Sequence, residues 1–172
     1  GAARVLDAYR GMLPGGHAPP ASYYYCAALC AVVDGRTDEA DAVLRAGLHA
    51  HPRAAPLLLL AGNIAERRAD MLEAERLYQQ AAEEDGSLPQ PHKNLGDLAF
   101  RRGVHGDALD HYQRAAEARP DLGDDLYERM GDIYYRRSER EEAIRCWRRA
   151  LELNPANEQA RNHLEVLARA AG

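Results

Sequence analysis

The sequence predicts an all-α fold built as an array of helix-turn-helix units, and three observations carry that expectation. A pattern of small and aromatic residues recurs about every 34 residues. The recurring positions fall at helical spacings, and no strand-like alternation competes with them. Residues that stop a helix, or cannot continue one, close each copy at the same place. After Gly62, Gly96 and Gly131 come alanine at +12, an aromatic at +16 and alanine at +19: Ala74, Tyr78, Ala81, then Ala108, Tyr112, Ala115, then Ala143, Trp147, Ala150. A weaker copy precedes them as Ala28, Ala40, Leu44 and Gly47, and at +24 the four copies reach Pro52, Gly86, Pro120 and Pro155. A fixed period of this length is the signature of an array.

The elements follow in order. Residues 3–13 read as a flanking N-terminal helix with Val5, Leu6, Tyr9, Met12 and Leu13 apolar, ended by Pro14-Gly15-Gly16 and Pro19-Pro20. That segment has the place of the second helix of an upstream unit. Four units occupy residues 21–54, 55–88, 89–123 and 124–157. Their first helices start at Ala21, Ala55, Pro89 and Asp124, and their second helices near Thr37, Asp70, Gly106 and Glu139. Small residues 12 apart let two antiparallel helices approach around a short turn, and the aromatic fills the gap beside the contact. Gly35 and Gly103 supply turns, Asp70 with Glu73 and Ser138 with Glu141 have capping-box spacing, and Pro89 and Pro91 sit in a first turn where a missing donor costs nothing. Residues 158–171 read as a C-terminal capping helix: Ala160, Leu164, Leu167 and Ala171 form an apolar stripe, with Gln159, Arg161, Asn162, Glu165 and Arg169 off it. Such a polar cover is what the end of an array requires.

These residues resemble the tetratricopeptide repeat family, in which Leu-Gly on the first helix, alanine and an aromatic on the second, and a closing proline recur. The resemblance covers residues 21 to about 157, and is closest in Asn94-Leu95-Gly96 to Pro120 and in Met130-Gly131-Asp132-Ile133-Tyr134 to Pro155. Ala31, Ala65 and Ala99 stand where an aromatic three residues beyond the glycine belongs, and the third unit is one residue longer. The resemblance implies a right-handed αα-superhelix whose first helices line a concave groove that takes peptide segments of partner proteins.

Composition narrows the function classes. A formal net charge of −5 gives no reason to expect nucleic acid as partner. The longest nearly apolar run, residues 21–33, is too short for a membrane span, so membrane insertion is not expected. Cys26, Cys30 and Cys146 form no CxxC pattern, and their odd number favours a reducing, cytoplasmic setting. The chain opens at Gly1 without a methionine, as a piece of a longer protein would. Cys26 and Cys30, one helical turn apart, read as small buried residues rather than metal ligands. His49 and His51 flank one residue of a loop, without two further ligands nearby for zinc. His92 and His111 have no Ser, Cys or carboxylate partner in sequence, and no glycine-rich phosphate loop is present. The sequence therefore points to no catalytic residue, no cofactor and no metal.

Function is then expected on the surface of the first helices. Projected through the repeat register, the peptide-binding candidates are Asn63, Lys93, Asn94, Arg101, Arg129, Tyr135 and Arg136, with Tyr25, Leu29 and Leu59 as an apolar subsite. Some relatives in the resembling family clamp the C-terminal carboxylates of chaperones with lysines, asparagines and an arginine. Asn63, Asn94 and Arg129 occupy three of those five places, but Leu59 and Asp125 hold the two lysine places. A carboxamide binds the backbone of an extended peptide whatever its sequence, and the same asparagines serve equally as contacts between repeats. Lys93, the only lysine, stands beside Asn94 and one unit from Arg129, where a ligand carboxylate would meet both cations. Two uses of the apolar end stay open. It either recognises apolar side chains of a partner segment, making the chain an adaptor, or is covered by the 3–13 helix, an upstream unit or a second copy, making the chain a structural spacer or self-assembly segment. In a larger protein, either form can recruit substrate for an enzyme domain elsewhere.

Overall fold

In the computed structural model, residues 18–170 are described, and they fold into helices and short connections. The helices are α1 (Ala21–Val33), α2 (Thr37–Ala50), α3 (Ala55–Arg67), α4 (Met71–Glu84), α5 (Pro89–Arg101), α6 (His105–Ala118), α7 (Asp124–Arg136), α8 (Arg140–Leu153) and α9 (Glu158–Ala170). The chain divides into two compact units, one up to Gly86 and one from Ser87 onward. The first holds α1 to α4 and the second α5 to α9. The helix expected over residues 3–13 lies outside the described residues.

The glycine and aromatic positions that set the period do so through contact. A Cβ added at Gly62 would lie 2.5 Å from the Tyr78 ring, at Gly96 2.6 Å from Tyr112, and at Gly131 2.4 Å from Trp147. Only a glycine lets the first helix of each pair close onto the aromatic of the second. The aromatics are consequently among the most deeply buried side chains, with Tyr78 and Tyr112 at 0% and Trp147 at 1% exposure. The first pair solves the same problem in reverse. Leu44 replaces the aromatic on α2, and Tyr24, at 0% exposure on α1, fills the space instead. Here the close approach falls on α2, where a Cβ at Gly47 would meet Tyr24 at 2.8 Å.

Each pair turns through a left-handed residue just past its first helix: Gly35 (φ 74°), Ala69 (φ 61°), Gly103 (φ 77°) and Ser138 (φ 65°). This is the position after a helix end where glycine is favoured, and two of the four units do without it. It also corrects the capping expectation at Ser138. That residue closes α7 and does not open α8, whose N-cap is Glu139 with no side-chain hydrogen bond. The Asp70–Glu73 box forms by half: Asp70 Oδ1 accepts from the Glu73 amide at 3.2 Å, while the Glu73 carboxylate turns to Arg76 at 2.6 Å. Pro89 and Pro91 lie in the first turn of α5, both buried.

The burial expected for Cys26 and Cys30 is also corrected. Both are exposed, because Tyr24, Ala28 and Ala31 make up the buried face of α1 and the cysteines fall beside it. The last helix is seated by Asn157, whose Oδ1 accepts from the Ala160 amide at 2.9 Å. Its Nδ2 donates to Asp124 at 2.9 Å and Glu128 at 2.8 Å on α7. Ala160, Leu164 and Leu167 then pack on the Trp147 cluster, while Gln159, Arg161, Asn162, Glu165 and Arg169 face solvent.

Candidate functional site

One hydrogen bond recurs beside each glycine and aromatic contact. The residue after the glycine accepts from the polar tip of the aromatic: Tyr78 Oη donates to Asn63 Oδ1 at 2.8 Å, Tyr112 Oη to Asp97 Oδ1 at 2.7 Å, and Trp147 Nε1 to Asp132 Oδ1 at 3.1 Å. Tyr78 Oη also lies 2.8 Å from Glu66 Oε2, so its single proton is shared between the two acceptors. A buried hydroxyl or indole N–H left without an acceptor costs about 1–3 kcal/mol, so the acceptor is as much a part of the repeat as the ring. The first pair has Leu44 in place of the aromatic and Leu29 in place of the acceptor, and Leu29 is 40% exposed.

In the second unit this ladder opens into a charged network on the faces of α5 and α7. Asp97 accepts from Tyr112, pairs with Lys93 on its own helix at 3.1 Å, and forms an ion pair with Arg129 of α7. Lys93 reaches across to Asp125 at 2.7 Å. Arg129 also lies over the Phe100 ring, 5.9 Å from its centre. Burial works against the Lys93 ammonium, but Asp125 and Asp97 outweigh it and hold its pKa above the ordinary lysine value. Burial, reinforced by Asp97, raises the Tyr112 hydroxyl well above the ordinary tyrosine value, so it remains a donor. The structure thus brings Lys93 and Arg129 together as the sequence suggested, but joins both to carboxylates of the chain itself. Two cations and two anions cancel.

Around this network lie the other candidates of the second unit. Asn94 is half-buried, and Arg101 and Arg136 are exposed. Tyr135, 44% exposed, has its ring centre 5.7 Å from that of Trp147. Along α7, Asp124, Glu128 and Asp132 form a row met by amide, indole and imidazole groups. Asn154 and Asn157 bond Asp124, Asn157 bonds Glu128, and Trp147 and the His163 ring reach Asp132.

In the first unit, Asn63 is tied to Tyr78. Tyr25 and Leu59 are half-buried, and Leu29 is exposed beside Val33, which is 78% exposed. A groove of about 400 Å³ among α2, α3 and α4 is lined by Leu44, Leu48, Ile64 and Leu77, by Arg45, Arg68 and Arg76, and by Asp41, Asp70 and Glu73. His51 Nε2 lies 2.6 Å from the Pro19 carbonyl, which fixes it as a structural donor. No group of three or more His, Cys, Asp or Glu side chains suited to a metal occurs among the described residues. Burial pushes the Cys146 thiol up to about 11, despite the opposing charge of Arg145, which makes it a poor nucleophile at neutral pH. Among the described residues no helix is long and apolar enough to cross a membrane.

Sequence reasoning missed three residues here. Asp97 and Asp132 fall in the groove register of the first helices without being singled out as acceptors, although the fixed spacing of 15 to the aromatic was a usable signal. Asn157, just after Pro155 and before an amphipathic stretch, carried the ordinary mark of a helix N-cap.

Comparison with known proteins places these features in a lineage. The pattern described as tetratricopeptide repeat matches residues 27–89, and that described as TPR repeat matches residues 131–164; together they span more than half of the chain. No curated protein matches the chain. Among solved structures, MamA from Desulfovibrio magneticus RS-1 is similar over 84% of this chain and 81% of that chain, with TM-score 0.70 and 17% identity. YrrB, described as a TPR protein with an unusual peptide-binding site, is similar over 95% of this chain and 84% of its own, with TM-score 0.69 and 21% identity. The first TPR of Spaghetti (RPAP3), bound to the HSP90 peptide SRMEEVD, is similar over 68% of this chain and 92% of its own, with TM-score 0.60 and 26% identity.

Proposed function

The chain belongs to the tetratricopeptide repeat family, and on that premise we propose that it is a non-catalytic protein-interaction module taking an extended peptide segment of a partner on the faces of its first helices. The observation that carries this reading is the face of α5 and α7, where Lys93, Asp97, Asp125 and Arg129 form one connected polar platform with Asn94 beside it. A preformed platform costs little ordering on binding. Exposed Arg101, Tyr135 and Arg136 supply adaptable contacts next to it. RPAP3 and YrrB, which share the fold, are described as binding peptides.

The internal neutralisation decides the class of ligand. The peptide bound to RPAP3 carries acidic residues near its end, but in this chain an acidic tail must displace Asp97 and Asp125 before it meets the cations of Lys93 and Arg129. Recognition of an extended backbone by carboxamides, with Tyr135 as an aromatic anchor, needs no such exchange. The preferred ligand is therefore a peptide without a required negative charge. Selection of binders from a displayed random-peptide library tests this. Enriched peptides should lack an acidic consensus and should lose affinity for the N94A/Y135A/R136A variant.

A specific feature supports a second use in the first unit. Leu29 and Val33 are 40% and 78% exposed along α1, a strip suited to an apolar contact with another chain or segment.

A further inference from the structure

The third helix pair breaks a packing rule that the other three keep. At the fourth position of each first helix stand Tyr24, Leu58, His92 and Tyr127, and at the seventh position of each second helix Val43, Leu77, His111 and Cys146. Both members of this facing pair are apolar or aromatic everywhere except in α5 and α6, where both are histidine. The two rings stack, with centres 5.8 Å apart and planes at 28°. His92 is only 7% exposed, and its Nδ1 is buried with no hydrogen-bond partner among the described residues. A local violation of this kind, made twice at one contact, is a mark of function more than of packing.

We propose that His92, stacked on His111, is an acid-sensitive lock, which holds α5 against α6 while its ring is neutral and releases α5 when it is protonated. An imidazolium at His92 would be buried against the His111 ring with the like charge of Arg114 acting on it, and burying a charge in that setting is costly. The charged groups acting on His92 are His111 and Arg114, both on α6. On α5 its neighbour Lys93 is engaged by Asp97 and Asp125, so the carboxylates nearest in sequence are already paired. Burial, then His111, then Arg114, lower the His92 pKa below its ordinary value of 6.5. The folded state therefore binds fewer protons than the unfolded chain. The contribution of neutral His92 to stability is complete above about pH 6.5 and declines as pH falls through and below that value. Because α5 carries Lys93, Asn94 and Asp97, releasing it dismantles the charged platform of the second unit. The lock is a property of the α5–α6 packing and stands whether or not that face binds a peptide.

The test compares thermal midpoints of the wild-type chain and an H92L/H111L variant, whose leucines are the residues that Leu58 and Leu77 place at the same contact in the second pair. Between pH 7.5 and 5 the advantage of the variant should widen by about 5 °C or more. Parallel curves across that range would overturn the proposal. A second measurement needs no variant: in a proton-NMR titration of the wild-type chain the His92 ring should titrate below 6.5, and titration at or above that value would overturn it equally.

Discussion

Removing the Asp97 carboxylate should cost more than a surface charge and should do so mainly through Tyr112. In Asp97→Ala the Tyr112 hydroxyl, on a side chain with 0% exposure, loses its acceptor at 2.7 Å. An orphaned buried donor costs about 1–3 kcal/mol. The pairs with Lys93 and Arg129 are 19–33% exposed at their side chains, and Lys93 keeps Asp125, so their loss adds about 1 kcal/mol in all. The total for Asp97→Ala is therefore about 2–4 kcal/mol. In a Tyr112→Phe background no hydroxyl is left to orphan, and the same substitution should cost only about 1 kcal/mol. The assay is urea unfolding of the four members of this cycle, followed by the fluorescence of Trp147, which is the single tryptophan and lies in the second unit. A coupling of about 1–3 kcal/mol is expected. If Asp97→Ala costs the same in both backgrounds to within about 0.5 kcal/mol, the ladder is not what holds these helix pairs together.

Two further expectations concern glycine positions. Gly131→Ala places a methyl 2.4 Å from the rigid Trp147 indole. Overpacking of about 1–3 kcal/mol outweighs the helix-propensity gain of about 1 kcal/mol, so thermal or urea unfolding should show a net loss of up to about 2 kcal/mol. Gly86→Ala, whose added methyl would meet nothing closer than the Ala82 carbonyl at 3.7 Å, is the neutral control. Conversely, Ala69→Gly and Ser138→Gly relieve left-handed backbone at φ 61° and 65° and should each stabilise by up to about 1 kcal/mol in the same assay.

The period made most of the helix framework legible. A contact that needs glycine on one helix and an aromatic on the next repeats its own spacing, so the starts of α1, α3, α5 and α7 at Ala21, Ala55, Pro89 and Asp124 could be read directly. Where the same contact is solved differently, the reading failed. Tyr24 and Gly47 exchange the roles that Gly62 and Tyr78 hold, and a template fixed on the second helix does not register the exchange. Ser138 misled because a serine three residues before a glutamate has the same sequence at a helix start and in a left-handed helix stop, and only φ separates them. The helix face of Lys93 and Arg129 was legible, but the full pairing of their charges was not. The register placed Lys93 and Arg129 on one face and Asp97 four residues from Lys93, yet the pairs of Lys93 with Asp125 and of Arg129 with Asp97 depend on side-chain reach from α5 to α7, which no spacing along one helix encodes.

The most direct measurement is the affinity of a library-selected peptide for the second unit's α5–α7 face within the whole chain, read by fluorescence anisotropy with the wild-type chain and with N94A/Y135A/R136A. These side chains are half-buried or exposed, and the variant is checked for native helicity by circular dichroism. Loss of an aromatic anchor and its polar neighbours should weaken binding at least tenfold, about 1.4 kcal/mol or more. A neutral peptide bound by the wild-type chain and lost with the variant is the predicted result. Equal affinity for both, or enrichment of acidic tails alone, would contradict it and place recognition elsewhere on the chain or on cations that the network does not hold.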